Sequence, residues 1–190
     1  DANGSLWMGG NNTSGQLGNG TQENSTKFIK VMDGVSSISC GCVHTAAVKT
    51  DGSLWMWGSN GCGALTGDVQ GNVLVPKKVM DDVVSVSCGF GFTAAIKTDG
   101  SLWMWGDNSR GQLGNGTTKG STIPVQVLEN VAAVSCGGVY TPAIQTDGSL
   151  WTWGDNQFGE LGSGSMDGNT QIADKIYCQT SPQKIMDGVT

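Results

Sequence analysis

Short apolar runs alternate with tight-turn signals along the whole chain, and no segment shows a helical period. Within one period the pattern predicts four strands, which in chain order are Ser36 to Cys40, His44 to Lys49, Ser53 to Trp57 and Lys77 to Met80. The Asp-Gly pair at Asp51 follows the second strand and is typical of a hairpin turn. The pattern therefore predicts short antiparallel strands joined by turns.

The strand pattern repeats along the chain. The motif Asp-Gly-Ser-Leu-Trp begins at Asp51, Asp99 and Asp147, 48 residues apart each time, and Gly4 opens a shortened copy. The chain divides into four repeat units, which are 1–50, 51–98, 99–146 and 147–190. Four strands in a period of about 40 to 50 residues is the pattern of a β-propeller blade.

The third strand of each unit is apolar on both faces. Successive side chains of a strand point to opposite sides, yet Leu54, Trp55, Met56 and Trp57 are all large and apolar. A sheet with one solvated face would show a polar residue at every second position. Both faces of this strand must therefore be covered, as they are in a propeller, where each sheet packs between two others.

Counting the strands predicts only part of a propeller. The chain begins inside a third strand and stops at Val189 and Thr190, where the next Ser-Cys-Gly strand would begin. Fourteen strands, or three and a half blades, are predicted over residues 1–190. Open β-edges pair readily with other strands. We therefore expect further sequence or another chain to complete the ring, with self-association through the open edges as one route.

Composition and charge exclude several classes of function. A net charge of −6 disfavours nucleic acid, which proteins bind mainly through Lys and Arg. No run of about 18 apolar residues is present, so no membrane span is predicted. His44 is the only histidine, and it occupies a repeat position that holds an aromatic residue in the other copies. No nucleophile, base and orienting group follow from the motif spacing, so we predict no catalytic residue, metal site or cofactor.

Three of the six cysteines, Cys40, Cys88 and Cys136, occupy one repeat position. They are predicted to pack as small apolar residues, because equivalent positions in successive blades are too far apart for a disulfide. Cys40 and Cys42 leave a disulfide or metal pair open, although Cys-x-Cys lacks a second pair of ligands.

Three motifs together resemble the repeat of the regulator of chromosome condensation. They are Ser-Cys-Gly-x-x-x-Thr, Asp-Gly-Ser-Leu-Trp-x-Trp-Gly-x-Asn and Gly-Gln-Leu-Gly-Asn-Gly, and the resemblance covers essentially the whole chain. It implies a seven-bladed propeller, of which this chain supplies about half. The family commonly places His before the Thr; His44 fits this pattern, whereas Phe92 and Tyr140 depart from it.

The turns of an up-and-down blade alternate between its two ends. The Asp-Gly turns and the Met-Asp-Gly-Val connections fall at one end, the turn face, and hardly vary between copies. The Cys-Gly turns and the long loops between third and fourth strands fall at the other end, the loop face, where the copies differ. The fourth long loop is ten residues longer than the others and contains the insertion 166–179. Repeat scaffolds often place such insertions on a binding face.

Binding is therefore predicted on the loop face. Aromatic and Arg side chains dominate protein interfaces, and the candidates at variable positions are Phe90, Arg110, Tyr140, Phe158 and Met166. Substitution of Phe90 and Phe158 by Ala is expected to weaken the binding of a partner while leaving folding stability nearly unchanged.

The favoured function is a protein-binding scaffold without catalytic activity, with an unidentified protein partner. Sparse lysine and abundant Gly, Asn and Thr resemble bacterial members of the family and favour an extracellular or cell-surface location. The alternative is guanine-nucleotide exchange on a small GTPase, the activity of the founding member. Light sensing, known for a plant photoreceptor of this fold, requires Trp in the Cys-Gly turns, which this chain lacks.

Overall fold

The computed structural model describes residues 4–65, 67, 71–173 and 176–189, and these residues form fifteen β-strands in four antiparallel sheets. The first sheet contains β1 (Leu6–Gly10) and β2 (Ser25–Met32). The second contains β3 (Val35–Cys40), β4 (His44–Lys49), β5 (Leu54–Ser59) and β6 (Asn72–Met80). The third contains β7 (Val83–Cys88), β8 (Phe92–Lys97), β9 (Leu102–Gly106) and β10 (Ser121–Leu128). The fourth contains, in spatial order, β11 (Val131–Val134), β12 (Tyr140–Gln145), β13 (Leu150–Asp155), β15 (Ile176–Met186) and β14 (Thr170–Ala173).

No helix long and apolar enough to cross a membrane is found in the part of the chain that the structure describes.

The hydrophobic core lies between the sheets, which confirms the interpretation of the third strand. Met56 of β5 packs toward the third sheet, in a cluster that includes Val83 and Trp105. Trp57, the next residue, packs in the opposite direction against Leu6 of the first sheet. An equivalent cluster joins the third and fourth sheets. The second and third sheets thus pack on both faces, and the prediction of an all-β partial propeller is confirmed.

The sequence repeat and the sheet are out of phase. The motif that begins at Asp51 supplies β5 and β6 to the second sheet, and the same unit continues into β7 and β8 of the third sheet. Each of the first three repeats therefore contributes to two neighbouring sheets, whereas the described part of the fourth supplies only the fourth sheet. This arrangement ties each pair of consecutive sheets together covalently.

The first strands of the sheets lie next to one another. β3 and β4 contact β7, and β7 and β8 contact β11. Ser39 Oγ accepts a hydrogen bond from Cys88 N at 2.9 Å, and Ser87 Oγ accepts one from Cys136 N at 2.8 Å. The Ser-Cys-Gly motif is thereby explained as the seam between the first strands of successive sheets.

The predicted common burial of the repeated cysteines is correct only in part. Cys88 is buried and Cys136 half-buried, whereas Cys40 is exposed. Among the described residues, the first sheet consists of β1 and β2, with no first strand to cover Cys40. All six cysteines are free thiols, so Cys40 and Cys42 do not form the disulfide that the spacing left open.

Two predicted strand boundaries need correction. The fourth strand, predicted to begin at Lys77, begins five residues earlier, at Asn72. Pro76 does not end the strand, because it lies at a register shift in the pairing with β5. The insertion, predicted as a loop, contains β14, which pairs with the start of β15 through Thr170 and Cys178. The fourth sheet therefore has a fifth strand at its outer edge, and the count of fourteen strands was one too low. Residues 174 and 175 of the predicted insertion lie outside the described residues.

Strand pairing confirms the two ends of the blades. His44, at the start of β4, pairs with Gly58 at the end of β5, while Val48 pairs with Leu54 at the other end. The Cys-Gly turns and long loops therefore share the loop face, and the Asp-Gly turns share the turn face.

Candidate binding face

The repeated Trp and Thr side chains join consecutive sheets. Trp57 Nε1 and Thr45 Oγ1 each donate a hydrogen bond to the carbonyl oxygen of Gln16, both at 2.9 Å. The next two sheets form the same pair of bonds, with Ala64 O accepting from Trp105 and Thr93 and with Gln112 O accepting from Trp153 and Thr141. The acceptor always lies in the long loop of the preceding sheet. Packing between the sheets therefore accounts for these motif residues.

The repeated Asn fixes the backbone of the long loops. Asn108 Oδ1 accepts a hydrogen bond from Leu113 N at 2.8 Å, and its Nδ2 donates to Thr117 O at 2.9 Å. Asn12 and Asn156 make equivalent bonds in the first and fourth loops. A loop whose backbone is held in this way loses little conformational freedom on binding. The loop face is therefore built on preorganised supports.

The lone histidine is a packing residue. His44 Nε2 lies 3.1 Å from Thr93 Oγ1, between the second and third sheets, and the ring is buried. Burial lowers the pKa of His44 to about 4, so the ring is neutral at pH 7. It occupies the position that Phe92 fills in the third sheet. His44 is thus placed between sheets and away from solvent.

The carboxylates of the turn face serve their own turns. Asp51 Oδ1 accepts hydrogen bonds from the hydroxyl and the amide of Ser53, at 2.6 and 2.9 Å, and the Ser53 hydroxyl accepts one from Trp55 Nε1 at 2.9 Å. These bonds, with that from the hydroxyl foremost, hold the pKa of Asp51 below its usual value. Asp99 and Asp147 are bound in the same way. The turn face is therefore regular and locally satisfied.

Three of the predicted binding residues are exposed on the loop face. Phe90 is 59% exposed, Phe158 78% and Met166 65%. Phe158 and Met166 line one shallow hollow, whose remaining lining is Gly159, Gly162, Gly164 and Ser165. Phe90 N donates a hydrogen bond to Gly138 O at 3.2 Å, which links two neighbouring Cys-Gly turns. The structure thus brings Phe158 and Met166 together and places Phe90 on the same face, in the third sheet.

Arg110 lies at the junction between the third and fourth sheets. Its Nη1 is 3.7 Å from Asp155 Oδ1, and both atoms are buried without a hydrogen-bond partner. Burial raises the pKa of the Asp155 carboxyl; the Arg110 guanidinium opposes this rise, and the Glu160 carboxylate adds to it. Arg110 is therefore oriented toward Asp155, with about a third of its side chain exposed.

Tyr140 lies apart from the hollow formed by Phe158 and Met166. It occupies the strand position of the buried residues His44 and Phe92, and its ring packs over Gly137, where an added Cβ would lie 2.6 Å from the ring. Tyr140 is half-buried because no sheet follows the fourth one in the described part of the chain. Its exposure belongs to the open side of that sheet and not to the loops.

Two residues of the loop face were missed by the sequence reasoning. They are Asp155 and Glu160: Glu160 accepts a hydrogen bond from Phe158 N, and its carboxylate adds to the rise in the pKa of Asp155. The available signal was the repeat position of Glu160, which holds Gln16 in the first copy and Gln112 in the third. A change from an amide to a carboxylate removes a donor and adds a charge.

The loop face carries two further exposed thiols, Cys42 and Cys62. Cys62 packs against Gly91 of the next sheet, where an added Cβ would lie 3.1 Å from the sulfur. Within the described residues, no three His, Cys, Asp or Glu side chains come together as a group that could hold a metal ion.

The fold and the repeats define a β-propeller protein. The family model for the regulator of chromosome condensation (RCC1) repeat matches residues 3–48, 51–96, 99–144 and 147–189. A second model of this repeat matches residues 35–64 and 83–112. The chain therefore belongs to the regulator of chromosome condensation repeat family, and the matched ranges begin within two residues of the repeat units predicted from the sequence. Comparison with curated proteins by sequence gives no match.

Similar solved structures share the fold along nearly the whole chain. Human WBSCR16 is similar with a TM-score of 0.82 and 23% identity, over 97% of this chain and 49% of that one. Yeast RCC1 (Prp20), solved with Kap60 bound, gives a TM-score of 0.79 and 20% identity over 97% and 45%. Prp20p from Saccharomyces cerevisiae, described with its binding to Gsp1p and histones, gives 0.80 and 20% over 96% and 46%. The chain thus spans about half the length of these structures.

Proposed function

We propose that the chain is a protein-binding scaffold without catalytic activity and that it contacts its partner through the loop face. The observation that supports this most directly is the exposure of Phe90, in a Cys-Gly turn, and Phe158, in a preorganised long loop, at 59% and 78%. Large exposed aromatic side chains on a rigid support are typical of interface anchors.

The contrast with the conserved motif positions within the chain strengthens this proposal. The repeated Trp, Thr, Asn and Asp side chains are engaged by packing between sheets or by their own turns. Phe90, Phe158 and Met166 are exposed at positions that differ between copies, and all three lie on the loop face. A scaffold that keeps its repeats constant and varies its loops is typical of binding proteins built on repeats.

Selection from a phage-displayed library of random peptides of about 12 residues tests the proposal. We expect enriched peptides whose binding falls about tenfold or more for Phe90→Ala or Phe158→Ala, since interface anchors cost at least this much on truncation. Lys78→Ala on the turn face serves as the control and should bind normally. Enriched peptides that lose binding only to Lys78→Ala, or no enrichment at all, would contradict the proposal.

Guanine-nucleotide exchange is the other function that a specific resemblance suggests, because Prp20p is described as binding Gsp1p. The likeness to Prp20p at 20% identity concerns the fold alone. Release of a fluorescent nucleotide from Gsp1p measures this activity directly. We expect no acceleration by the chain, and a rate increase that Phe90→Ala or Phe158→Ala abolishes would favour exchange over the scaffold proposal.

A further inference from the structure

The long loops follow a common hydrogen-bonding plan in which one Gln side chain makes two bonds. Gln112 Oε1 accepts a hydrogen bond from Arg110 N at 2.8 Å, and Gln112 Nε2 donates one to Asp107 Oδ2 at 2.8 Å. Gln16 makes the same pair of bonds in the first loop, at 2.9 and 2.8 Å. The amide is suited to this place because it has both an acceptor and a donor.

Glu160 breaks this plan in the fourth loop. Its Oε2 still accepts a hydrogen bond from Phe158 N at 2.9 Å, but a carboxylate has no proton to donate to Asp155. Asp155 Oδ1 is left buried without a hydrogen bond, on a side chain that is 8% exposed. Arg110 Nη1, at 3.7 Å, is too distant to form one. The fourth loop thus gives up a bond that the first and third loops keep.

An unsatisfied buried carboxylate is costly, and natural proteins tend to accept such costs at functional sites. From residue 155 to residue 179 the sequence of the fourth loop contains four carboxylates, at Asp155, Glu160, Asp167 and Asp174, against a single lysine, Lys175. The same loop carries the two highly exposed apolar side chains of the hollow, Phe158 and Met166. Negative charge and exposed apolar surface therefore coincide on this loop.

We infer that Glu160, with Asp155 beneath it, receives a Lys or Arg side chain of a partner protein, while a neighbouring bulky apolar side chain of that partner enters the hollow between Phe158 and Met166. This inference rests on the proposed function and adds the chemistry of the partner. Charge complementarity decides the occupant: an acidic segment would be repelled, and a purely apolar one would leave the carboxylates unpaired. Arg110 provides only partial compensation from the third loop.

Glu160→Gln is the most informative variant. It restores the donor that Gln16 and Gln112 provide in the other loops, so Asp155 regains a hydrogen bond. Folding is therefore retained, and we expect the melting temperature to rise by about 2–4 °C, the shift that one added hydrogen bond gives in a chain of this size. Binding of a basic partner should nevertheless weaken, because the charge that recognises it is gone.

The test uses peptides of about 12 residues selected from a displayed random library on the 190-residue chain at low salt. We expect the enriched peptides to combine Lys or Arg with a bulky apolar residue. Titrations should show about a tenfold loss for Phe158→Ala and roughly a three- to tenfold loss for Glu160→Gln. The matched controls are Glu23→Gln, an exposed carboxylate of the first loop, and Phe28→Ala, an equally exposed Phe of the first sheet outside the fourth loop; both should bind normally.

The outcomes separate the inference from the proposed function. Peptides that need Phe158 but bind Glu160→Gln as tightly as the wild type, or enriched peptides that are acidic or neutral, overturn the inference and leave the loop-face scaffold standing. Peptides indifferent to every loop-face variant, or an absence of enrichment, overturn both. Raising the ionic strength from about 0.05 to 0.5 M should weaken the wild-type complex more than the Glu160→Gln complex, because only the former contains the recognised charge.

Discussion

At the residue scale, a glycine in the long loops is required by an indole of the next sheet. An added Cβ at Gly18 would lie 2.7 Å from Trp57 Nε1, and one at Gly114 would lie 2.7 Å from Trp153 Nε1. Both glycines have positive φ, of 73° and 68°. The glycine therefore permits the close approach that lets the indole donate to the loop carbonyl.

Comparing Gly114→Ala with Gly162→Ala separates the free-energy cost of a side chain at positive φ from the cost of its clash with the indole. Both positions have a φ of 68°, but a Cβ at Gly162 meets nothing within 4 Å. Gly162→Ala should therefore lose about 1 kcal/mol of unfolding free energy from the positive φ alone. Gly114→Ala should lose about 1–3 kcal/mol more from overpacking against Trp153. Urea denaturation measures both, and equal losses would show that the indole contact does not require glycine.

His44 gives the fold a pH dependence with a defined sign. Its pKa is lowered to about 4 in the folded chain from 6.5, so the unfolded chain binds the proton more readily. The stability from neutral His44 is present above about pH 6.5 and is lost as the pH falls toward 4. The total loss of unfolding free energy is roughly 3 kcal/mol, because each unit of difference between the folded and unfolded pKa corresponds to about 1.4 kcal/mol.

The variant His44→Phe tests this effect, because Phe92 already fills the equivalent place in the third sheet. Between pH 7 and pH 4 the variant should lose less unfolding free energy than the wild type, by roughly 3 kcal/mol. Subtracting the two denaturation series removes the shared titration of carboxylates such as Asp51. Parallel curves for the two proteins would contradict the assignment.

At the element scale, the sequence predicted those strands whose signals are local. The boundaries of β3, β4 and β5 lie within two residues of the prediction, because Gly41 and Asp51 follow the ends of β3 and β4; β5 continues through Gly58 to Ser59. β6 was predicted too short, because a proline normally indicates the end of a strand unless the strand is known to lie at the edge of a sheet, as β6 does. β14 was missed because its four residues gain order only by pairing with β15.

The candidate site was predictable to a similar extent. Comparing copies of the repeat singled out Phe90 and Phe158, since exposed variable positions stand out against a constant scaffold. The meaning of Glu160 required the structure, because the donor that it lacks is needed by a carboxylate five residues away, at Asp155. Arg110 reaches that carboxylate from another repeat, a contact that spacing within one repeat does not reveal.

The outer strands show how the fold protects its sheet edges. Pro76 and Pro124 occupy one position in the outermost strands of the second and third sheets, and Pro182 takes it in β15, beyond the start of the strand that β14 pairs with. Proline blocks pairing at an edge. In β2 that position holds Phe28, which is 78% exposed. The outer edge of the first sheet therefore lacks the protection that the other sheets have.

Phe28→Pro should reduce aggregation without loss of stability. The three equivalent prolines show that the backbone at this position accepts proline, which also removes an N–H from the edge. Light scattering during incubation at 37 °C should show slower growth of aggregates, with the melting temperature unchanged within about 2 °C. Phe28→Ala is the control; if it slows aggregation equally, the exposed ring and not the open edge is responsible.

At the scale of the whole molecule, the fourth sheet presents an open apolar side. Val48 and Ile96 are 1% and 2% exposed because the next sheet covers them, whereas the equivalent Ile144 is half-buried. Ile144 lines a shallow apolar depression with Ala133, Val134, Ser135, Pro142, Ala143 and Leu150. A face built to pack against another sheet is thus accessible in the described chain, which favours association.

A contact between two copies through this side would have fewer hydrogen bonds than the contacts between consecutive sheets inside the chain. Gly9 stands where Trp57, Trp105 and Trp153 stand in the later sheets, so the first sheet of a second copy brings no indole to the carbonyl of Glu160. A seam between copies would therefore lack the hydrogen bond that joins each internal pair of sheets. We expect such contacts to depend mainly on apolar burial.

Ile144→Lys tests whether apolar burial holds copies together. Light scattering of the wild-type chain should give a mass of at least about twice 19.6 kDa, and the variant should give the monomer mass, because a buried unpaired charge opposes closure of the contact. Circular dichroism of the variant should remain that of the wild type, since Ile144 is only half-buried within the chain. Gln145→Lys, at the adjacent position on the same strand, places the same charge near the turn face and should leave association intact. A wild-type chain that stays monomeric at high concentration would contradict association through this side, whereas an Ile144→Lys chain that associates as strongly as the wild type would move the contact to the edge of β2.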